Sequence, residues 1–327
     1  MKILVLAARH VHELLPYREC ADVMREALAQ LAAGQLQQPL RTIVRPRDAA
    51  GFMALMPAYG PAAGYGHYGV KAICISPGNA ALGKDAHQGG VLLFAADTGE
   101  PLALVNASAV TEIRTAATSA VATTLLARGD AAELAIIGTG VQGRAHAHAV
   151  AATRPLTGIR IAGRDPARAR EVAAELAGQL NLPVSAHDTV PGAVAGADIV
   201  VTATTSRLPV LRREWLSPGT HVNAVGGCVP GDREIDTATM GEAAIFADSR
   251  ESVYSEAGDY LLAQAEGVTN PVRAELGELL VGTAPGRAGP GEITLFESLG
   301  LAAEDLAAAS YVYQQAIRLG AGTPADF

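Results

Sequence analysis

The chain has 327 residues, 49% of them hydrophobic, and its 25 basic and 33 acidic residues leave a formal net charge of −8. That length allows two domains with separate cores, and an acidic balance without any basic run argues against nucleic acid and anionic membranes as partners. The three cysteines, Cys20, Cys74 and Cys228, are far apart and odd in number, so they form neither a disulfide framework nor a C-x-x-C metal pair.

Met1–Ala8 is apolar and ends at Arg9-His10. It lacks a basic leader segment and a small-residue cleavage site, so it reads as a first strand, and the protein is expected in the cytoplasm. Tyr17–Ala33 repeats apolar residues at helical spacing (Val23, Ala27, Leu28, Leu31) and stops at Gly34. From Leu40 to Leu104 the texture becomes β-like, in the runs Arg41–Val44, Phe52–Pro57, Gly69–Ile75, Gly90–Ala95 and Pro101–Val105. Turns such as Ser76-Pro-Gly-Asn79 and Asp97-Thr-Gly-Glu100 separate them, which predicts an α+β region around a multistranded sheet.

Thr111–Arg128 is Ala/Thr-rich and ends at Gly129, a further helix. Strand and helix then alternate: Leu134–Ile137, Val141–Thr153, Gly158–Ala162 and Pro166–Leu180, with later apolar strands at Asp198–Ala203, His221–Val225 and Ala244–Ala247. This alternation predicts an α/β fold with a doubly wound parallel sheet. Leu299–Leu319 is again a helix, expected to return to the first domain. No apolar run reaches the ~18 residues that span a bilayer. His146 and His148 stand two apart on one helix and so point to different faces; they read as helix surface or domain contact and not as metal ligands.

Gly138-Thr139-Gly140-Val141-Gln142-Gly143 fits G-x-G-x-x-G, directly after an apolar strand and at the opening of a helix. In that context Gly138 permits a tight turn, Gly140 lets backbone approach a pyrophosphate, and Gly143 lets helix and strand pack closely, while the helix N-terminus offers N–H groups to the phosphates. A nicotinamide dinucleotide is the cofactor this predicts. At the end of the next strand, where an acidic residue would bond the ribose of NAD, the chain reads Gly163-Arg164-Asp165. Arg164 favours the 2′-phosphate of NADP; Asp165 is the argument for NAD, although Asp165-Pro166 also reads as a helix cap. Thr202, Ala203 and Thr204, with Val225 and Gly226, end later strands, the edge at which such sheets bind ligand.

The string Leu102-Ala-Leu-Val-Asn-Ala-Ser-Ala-Val-Thr-Glu-Ile-Arg114-Thr-Ala-Ala, the glycine motif, and Glu292-Ile-Thr-Leu-Phe-Glu-Ser-Leu-Gly300 together resemble the ornithine cyclodeaminase/μ-crystallin family over nearly the whole chain. The resemblance implies an α+β substrate and dimerisation domain made from both chain ends (1–113 and 300–327), a Rossmann domain (114–299), and a homodimer. It also implies that Arg41, Lys71 and Arg114 grip a substrate carboxylate, with Lys71 and Arg114 closest to catalysis. A planar guanidinium holds a carboxylate through two bonds and fixes its direction, and a lysine can serve the carboxylate or the reacting nitrogen.

One segment departs from the cyclodeaminases. Where they carry an aspartate as general base, this chain reads Gly226-Gly227-Cys228-Val229-Pro230-Gly231-Asp232-Arg233-Glu234. Oxidising an amine requires a proton to leave an ammonium first, and a thiol of pKa about 8.5 is a poor replacement base. Hydride addition to a cyclic 2-imino acid that arrives protonated is less demanding, and ketimine reductases of the family resemble this chain in the non-acidic residue and the Arg-Glu pair after it. The expected activity is therefore NAD(P)H-dependent reduction of 1-pyrroline-2-carboxylate or 1-piperideine-2-carboxylate, with Cys228 touching substrate or nicotinamide. An amino-acid dehydrogenase, a cyclodeaminase that uses Asp232 as base, and a non-catalytic NADP-dependent ligand binder are the alternatives.

Overall fold

The computed structural model describes residues 2–62 and 65–327. Residues up to Arg114 together with Leu301–Phe327 form one compact unit, and Thr115–Gly300 form another. In chain order the first unit holds β1 (Lys2–Leu6), α1 (Ala8–Leu14), α2 (Tyr17–Ala32), β2 (Thr42–Val44), β3 (Phe52–Ala62), β4 (Tyr65–Ile75), β5 (His87–Ala95), β6 (Pro101–Asn106) and the start of α3 (Ala107–Leu126). The second holds β7 (Glu133–Ile137), α4 (Val141–Thr153), β8 (Gly158–Ala162), α5 (Pro166–Leu180), β9 (Val184–Ala186), α6 (Val190–Val194), β10 (Ile199–Thr202), β11 (His221–Ala224), α7 (Thr237–Glu242) and β12 (Ala244–Ala247). It ends with α8 (Arg250–Glu256), α9 (Gly258–Ala265), β13 (Ala274–Glu275), α10 (Leu276–Leu280) and β14 (Thr294–Glu297), after which α11 (Ala302–Leu319) and β15 (Thr323–Asp326) complete the first unit.

The first unit is built on a seven-stranded sheet in the order β15-β1-β6-β5-β4-β3-β2. Its β1–β6 pair is parallel and the remaining pairs are antiparallel. Side chains alternate across the sheet, so one register row, Met56–Lys71–Val91–Val105, is wholly buried. The adjacent row, Pro57–Val70–Leu92–Leu104, points to the other face, where Leu104 is exposed. Helix α11 covers the buried face, packing on β3 to β6 and on α2.

The β3–β4 hairpin runs further than prolines at 57 and 61 predict from sequence. Beyond Leu55 strand β2 has ended, and Tyr59 N–H points outward to Gln37 O (2.9 Å). Pro57 and Pro61, two residues to either side, share that outward orientation, so their missing N–H groups cost no bond of the ladder. The first strand, expected over Met1–Ala8, ends at Leu6, and Ala8–Leu14 forms a short helix that was not expected.

The second unit is an all-parallel eight-stranded sheet ordered β13-β12-β14-β11-β10-β7-β8-β9. Strands β7, β10 and β12 are near-continuously apolar, and every residue of β11 and β14 is buried although half of them are polar, as expected where helices cover both faces of a parallel sheet. The chain runs outward from β7 to β8 and β9, then restarts at β10 on the other side of β7. That reversal places a switch point at the carboxyl ends of β7 and β10, where ligands bind in this class of sheet. Among the described residues no helix is long and apolar enough to cross a membrane.

Candidate active site

In the first unit the chemistry collects under α11. Lys71 lies on the covered face of β4, 2% exposed. Its Nζ is 2.6 Å from Asp305 Oδ2 and 3.4 Å from Thr111 Oγ1. Arg114, on α3, donates from Nε to Asp305 Oδ1 (3.0 Å) and from Nη1 to Glu304 Oε2 (2.8 Å). Two cations are thus fixed by two carboxylates in the first turn of α11, where the helix dipole also favours negative charge. Burial pushes the Lys71 ammonium down to about 8; Asp305 opposes that shift, while the charges of Arg114 and Arg41 add to it. Burial raises the Glu304 carboxyl, against the attraction of Arg114. The structure therefore brings Lys71 and Arg114 together and sets Arg41, half-buried just before β2, within electrostatic reach of them.

Asp305 and Glu304 were not singled out in the sequence, though a signal was present. They are two adjacent acids in the apolar stretch Leu301-Ala-Ala-Glu-Asp-Leu-Ala-Ala-Ala309, and buried carboxylates demand partners.

In the second unit the glycine turn follows β7. Gly138 has φ +133°, and a Cβ there would stand 2.3 Å from Ala203 O; a Cβ on Gly143 would stand 2.2 Å from Gly138 O. Both contacts are with backbone, so both positions require glycine. A Cβ on Gly140 meets nothing within 4 Å. Gly140 is also the N-cap of α4 and supplies no side-chain cap, which leaves open space in front of the helix N-terminus. This cradle fits a dinucleotide pyrophosphate. Arg144 braces it from below, donating to Thr139 O (2.6 Å) while its Nε holds Glu175 (3.0 Å). Thr139 packs toward Gly163, at whose position a Cβ would come within 2.8 Å of the threonine methyl. Val141 is exposed at the start of α4, and Gln142 sits in its first turn.

At the end of β8, Arg164 is exposed and makes no salt bridge among the described residues. Asp165 caps α5, accepting from Ala167 N (2.9 Å) and Arg168 N (3.4 Å). Its carboxylate is therefore engaged by the helix, a bond of the kind worth about 1 kcal/mol.

The other strand ends are laced together. Ala203 N donates to Ile137 O and Val225 N to Thr202 O, extending the ladder past the strands. Glu234, fully buried, accepts Thr204 N on Oε1 (2.6 Å) and Gly226 N on Oε2 (2.7 Å). Asp259 Oδ1 in turn accepts Glu234 N (2.7 Å) and Ile235 N (2.8 Å). Burial raises the Glu234 carboxyl, and bonds from Thr204 and Gly226 oppose the shift. Asp259 is pushed up to about 7, chiefly by burial and with the Glu234 charge adding to it. Cys228, half-buried, packs against the apolar cluster of this unit, and Asp232 lies 3.7 Å from Arg207. His146 departs from the surface reading: it is fully buried, with Nε2 2.9 Å from Ser119 Oγ on α3 and Nδ1 2.7 Å from Gln142 O. Burial holds its imidazole down at about 4, hence neutral.

Glycines placed this way at the switch point of a doubly wound sheet give the second unit the fold of a dinucleotide-binding domain. The particular family follows from comparison with known proteins. The chain matches the ornithine cyclodeaminase/mu-crystallin family over residues 1–319 and belongs to it. It is 34% identical over 328 residues to the Delta(1)-pyrroline-2-carboxylate reductase of Bacillus thuringiensis subsp. konkukian, covering 99% of this chain and 100% of that one. It is 36% identical over 293 residues to the ketimine reductase mu-crystallin of Mus musculus, covering 89% and 90%. Among solved structures, Thermococcus litoralis Delta(1)-pyrroline-2-carboxylate reductase, in complex with NADH and L-proline, superposes with a TM-score of 0.94 at 34% identity, covering 98% of this chain and 99% of that one.

Proposed function

We propose that the protein is an NAD(P)H-dependent reductase of small cyclic 2-imino acids of the 1-pyrroline-2-carboxylate or 1-piperideine-2-carboxylate type. The observation that carries this reading is the state of the acids around Cys228. Position 228 itself offers no carboxylate, and both oxygens of Glu234 are occupied by backbone N–H groups. The thiol there is a poor base for deprotonating an ammonium, as oxidative deamination requires, and Asp232, the alternative base, lies 3.7 Å from Arg207, whereas reduction of a protonated imine has no such need. The similarity to two reductases of C=N bonds supports the same direction.

In this reading Lys71 and Arg114, with Arg41, take the substrate carboxylate. Asp305 and Glu304 hold the first two cations in place before substrate arrives, so little side-chain freedom is lost on binding. Lys71, whose ammonium releases its proton at about 8, also serves the ring nitrogen, and Cys228 contacts substrate or nicotinamide. When bound, the reduced dinucleotide supplies a hydride to C2. Gly138 to Gly143, Thr202 to Thr204, Val225 and Gly226 hold that dinucleotide. Reduction with nicotinamide deuterated at C4 should place deuterium on the α-carbon of the product, read by mass spectrometry and proton NMR. A product carrying the label elsewhere, or none, would refute hydride addition to C2.

We further propose NADP as the preferred dinucleotide. Arg164 has no salt-bridge partner among the described residues, and Asp165 is committed to capping α5. Loss of one charge-assisted contact to a phosphate is worth about 1.5–3 kcal/mol, so Arg164→Ala should raise the Kd for NADPH roughly tenfold or more and leave that for NADH unchanged. Equal effects on both would remove Arg164 from the 2′-phosphate site.

The homodimer is proposed to form through the outer face of the first unit's sheet. Tyr68 (50%), Met53 (40%) and Leu104 (41%) stand exposed there beside Val70, Leu92 and Phe94, an apolar surface of the kind that a partner covers. Sedimentation velocity should give twice the chain mass of 33.5 kDa, and Tyr68→Lys should shift it toward monomer. A wild-type monomer at every concentration would contradict the proposal.

A further inference from the structure

In the proposed function Glu234 figures only as an acid that is not free to act as base, yet its side chain is among the buried polar groups of the second unit and both its oxygens are bonded. It is 0% exposed. Its two oxygens bridge the loop after β10, at Thr204 N, and the loop after β11, at Gly226 N. Its main chain is held as well: Glu234 O accepts Val210 N (2.7 Å) and Leu211 N (2.9 Å), and Glu234 N donates to Asp259 at the start of α9. The glycines next to it are shaped by the same contacts. A Cβ on Gly226 would stand 2.2 Å from Thr204 O and 2.7 Å from Glu234 Oε2, and one on Gly227 would stand 2.1 Å from Asp259 Oδ2.

We propose that Glu234 is a positioning residue for dinucleotide binding: its carboxylate, anchored through Asp259, clamps the Thr204 and Gly226 loops into the binding conformation before the cofactor arrives. The inference rests on the reading that these two strand-end loops face the dinucleotide. Two backbone N–H donors on the two oxygens favour the ionised form and oppose the burial that raises this carboxyl. The clamp replaces loop ordering that binding would otherwise have to supply. Gly226 and Thr204 are then brought close enough that neither loop can move without the other.

Fluorescence titration of the full chain with NADH and with NADPH, in the absence of any imino acid, tests this. E234Q keeps the shape but offers one acceptor and one –NH₂, so one backbone N–H meets a donor. The Kd for both dinucleotides should rise about tenfold or more, and E234D, with two acceptors on a shorter stem, should recover part of the loss. Arg233→Ala removes the neighbouring ion pair to Glu266 (2.6 Å) and leaves both backbone bonds intact. It should lower the melting temperature with dinucleotide affinity retained, which separates positioning from general loosening. Amide exchange of the wild-type protein, which needs no variant, should find Thr204 and Gly226 protected before any dinucleotide is added. A wild-type Kd in E234Q, or rapid exchange at both amides in the dinucleotide-free protein, overturns the inference. A wild-type chain that binds neither dinucleotide overturns instead the reading on which it rests.

Discussion

Replacing Lys71 with methionine should lower kcat/KM for a cyclic 2-imino acid by about 100-fold. A hydrogen bond to a charged group contributes about 1.5–3 kcal/mol, or roughly ten- to a hundredfold in rate. The loss falls at the upper end here because Asp305 stays behind. Its Oδ2 loses the 2.6 Å ammonium contact, and a buried carboxylate left short of one cation repels the substrate carboxylate that the site must accept. Arg114 still holds Oδ1, so the fold survives, with destabilisation near the lower end of the about 3–5 kcal/mol expected for breaking a buried pair. The pH profile gives an independent check. Lys71 is cationic below about 8 and loses its proton above, so kcat/KM should fall as pH rises through that value. Lys71→Arg, whose cation does not titrate in this range, should move the limb upward. A limb that stays put in Lys71→Arg assigns the titration to another group.

The second large effect separates two glycines three residues apart. Gly143→Ala would place its Cβ 2.2 Å from Gly138 O and 3.1 Å from the carbonyl carbon, and neither backbone atom can swing aside. The first turn of α4 must shift, at a cost of about 1–3 kcal/mol for overpacking, and dinucleotide binding should be lost along with stability. Gly140→Ala meets nothing within 4 Å and stands at φ −82°, so it should fold with an unchanged melting temperature. Its methyl group would nevertheless occupy the room into which a pyrophosphate fits, and the Kd for NAD(P)H should rise at least about tenfold. Thermal melting and fluorescence titration of the two variants side by side check both halves. A Gly140→Ala protein that binds normally would mean that the phosphates lie elsewhere.

Much of the α/β fold was legible in the residues. Apolar four- to five-residue strands and a glycine turn opening a helix are local signals, and β7, α4, β8 and α5 lie where they predict. The weaker elements were hidden for physical reasons. Pro57 and Pro61 argue against a long β3, and only the early end of β2 explains why they are tolerated. Ala8–Leu14 is a short helix with polar Arg9, His10, His12 and Glu13, and the apolar run that leads into it, Met1–Ala8, reads as strand to its last residue.

Within the candidate site, cations and glycines announced themselves through their motifs, while the groups that hold them did not. Asp305 and Glu304 lie at least 190 residues from Arg114 along the chain, and their relation to it is created by α11 packing onto the first unit's sheet. Glu234 was visible as half of an Arg-Glu pair, but the task proposed for it depends on two loops and a second carboxylate, Asp259, meeting at the edge of a sheet. His146, read as helix surface or domain contact, is not at the surface: burial beside Ser119 makes it a neutral strut between α4 and α3.

The most direct test of the central claim is oxidation of the reduced dinucleotide, followed by its near-ultraviolet absorbance, with purified protein and either 1-pyrroline-2-carboxylate or 1-piperideine-2-carboxylate. Turnover of at least one of these imines, faster with NADPH than with NADH and abolished in Lys71→Ala, is the predicted result. No turnover with either imine, together with ammonia release from ornithine in the presence of NAD, would contradict it and return the protein to the cyclodeaminases despite Cys228.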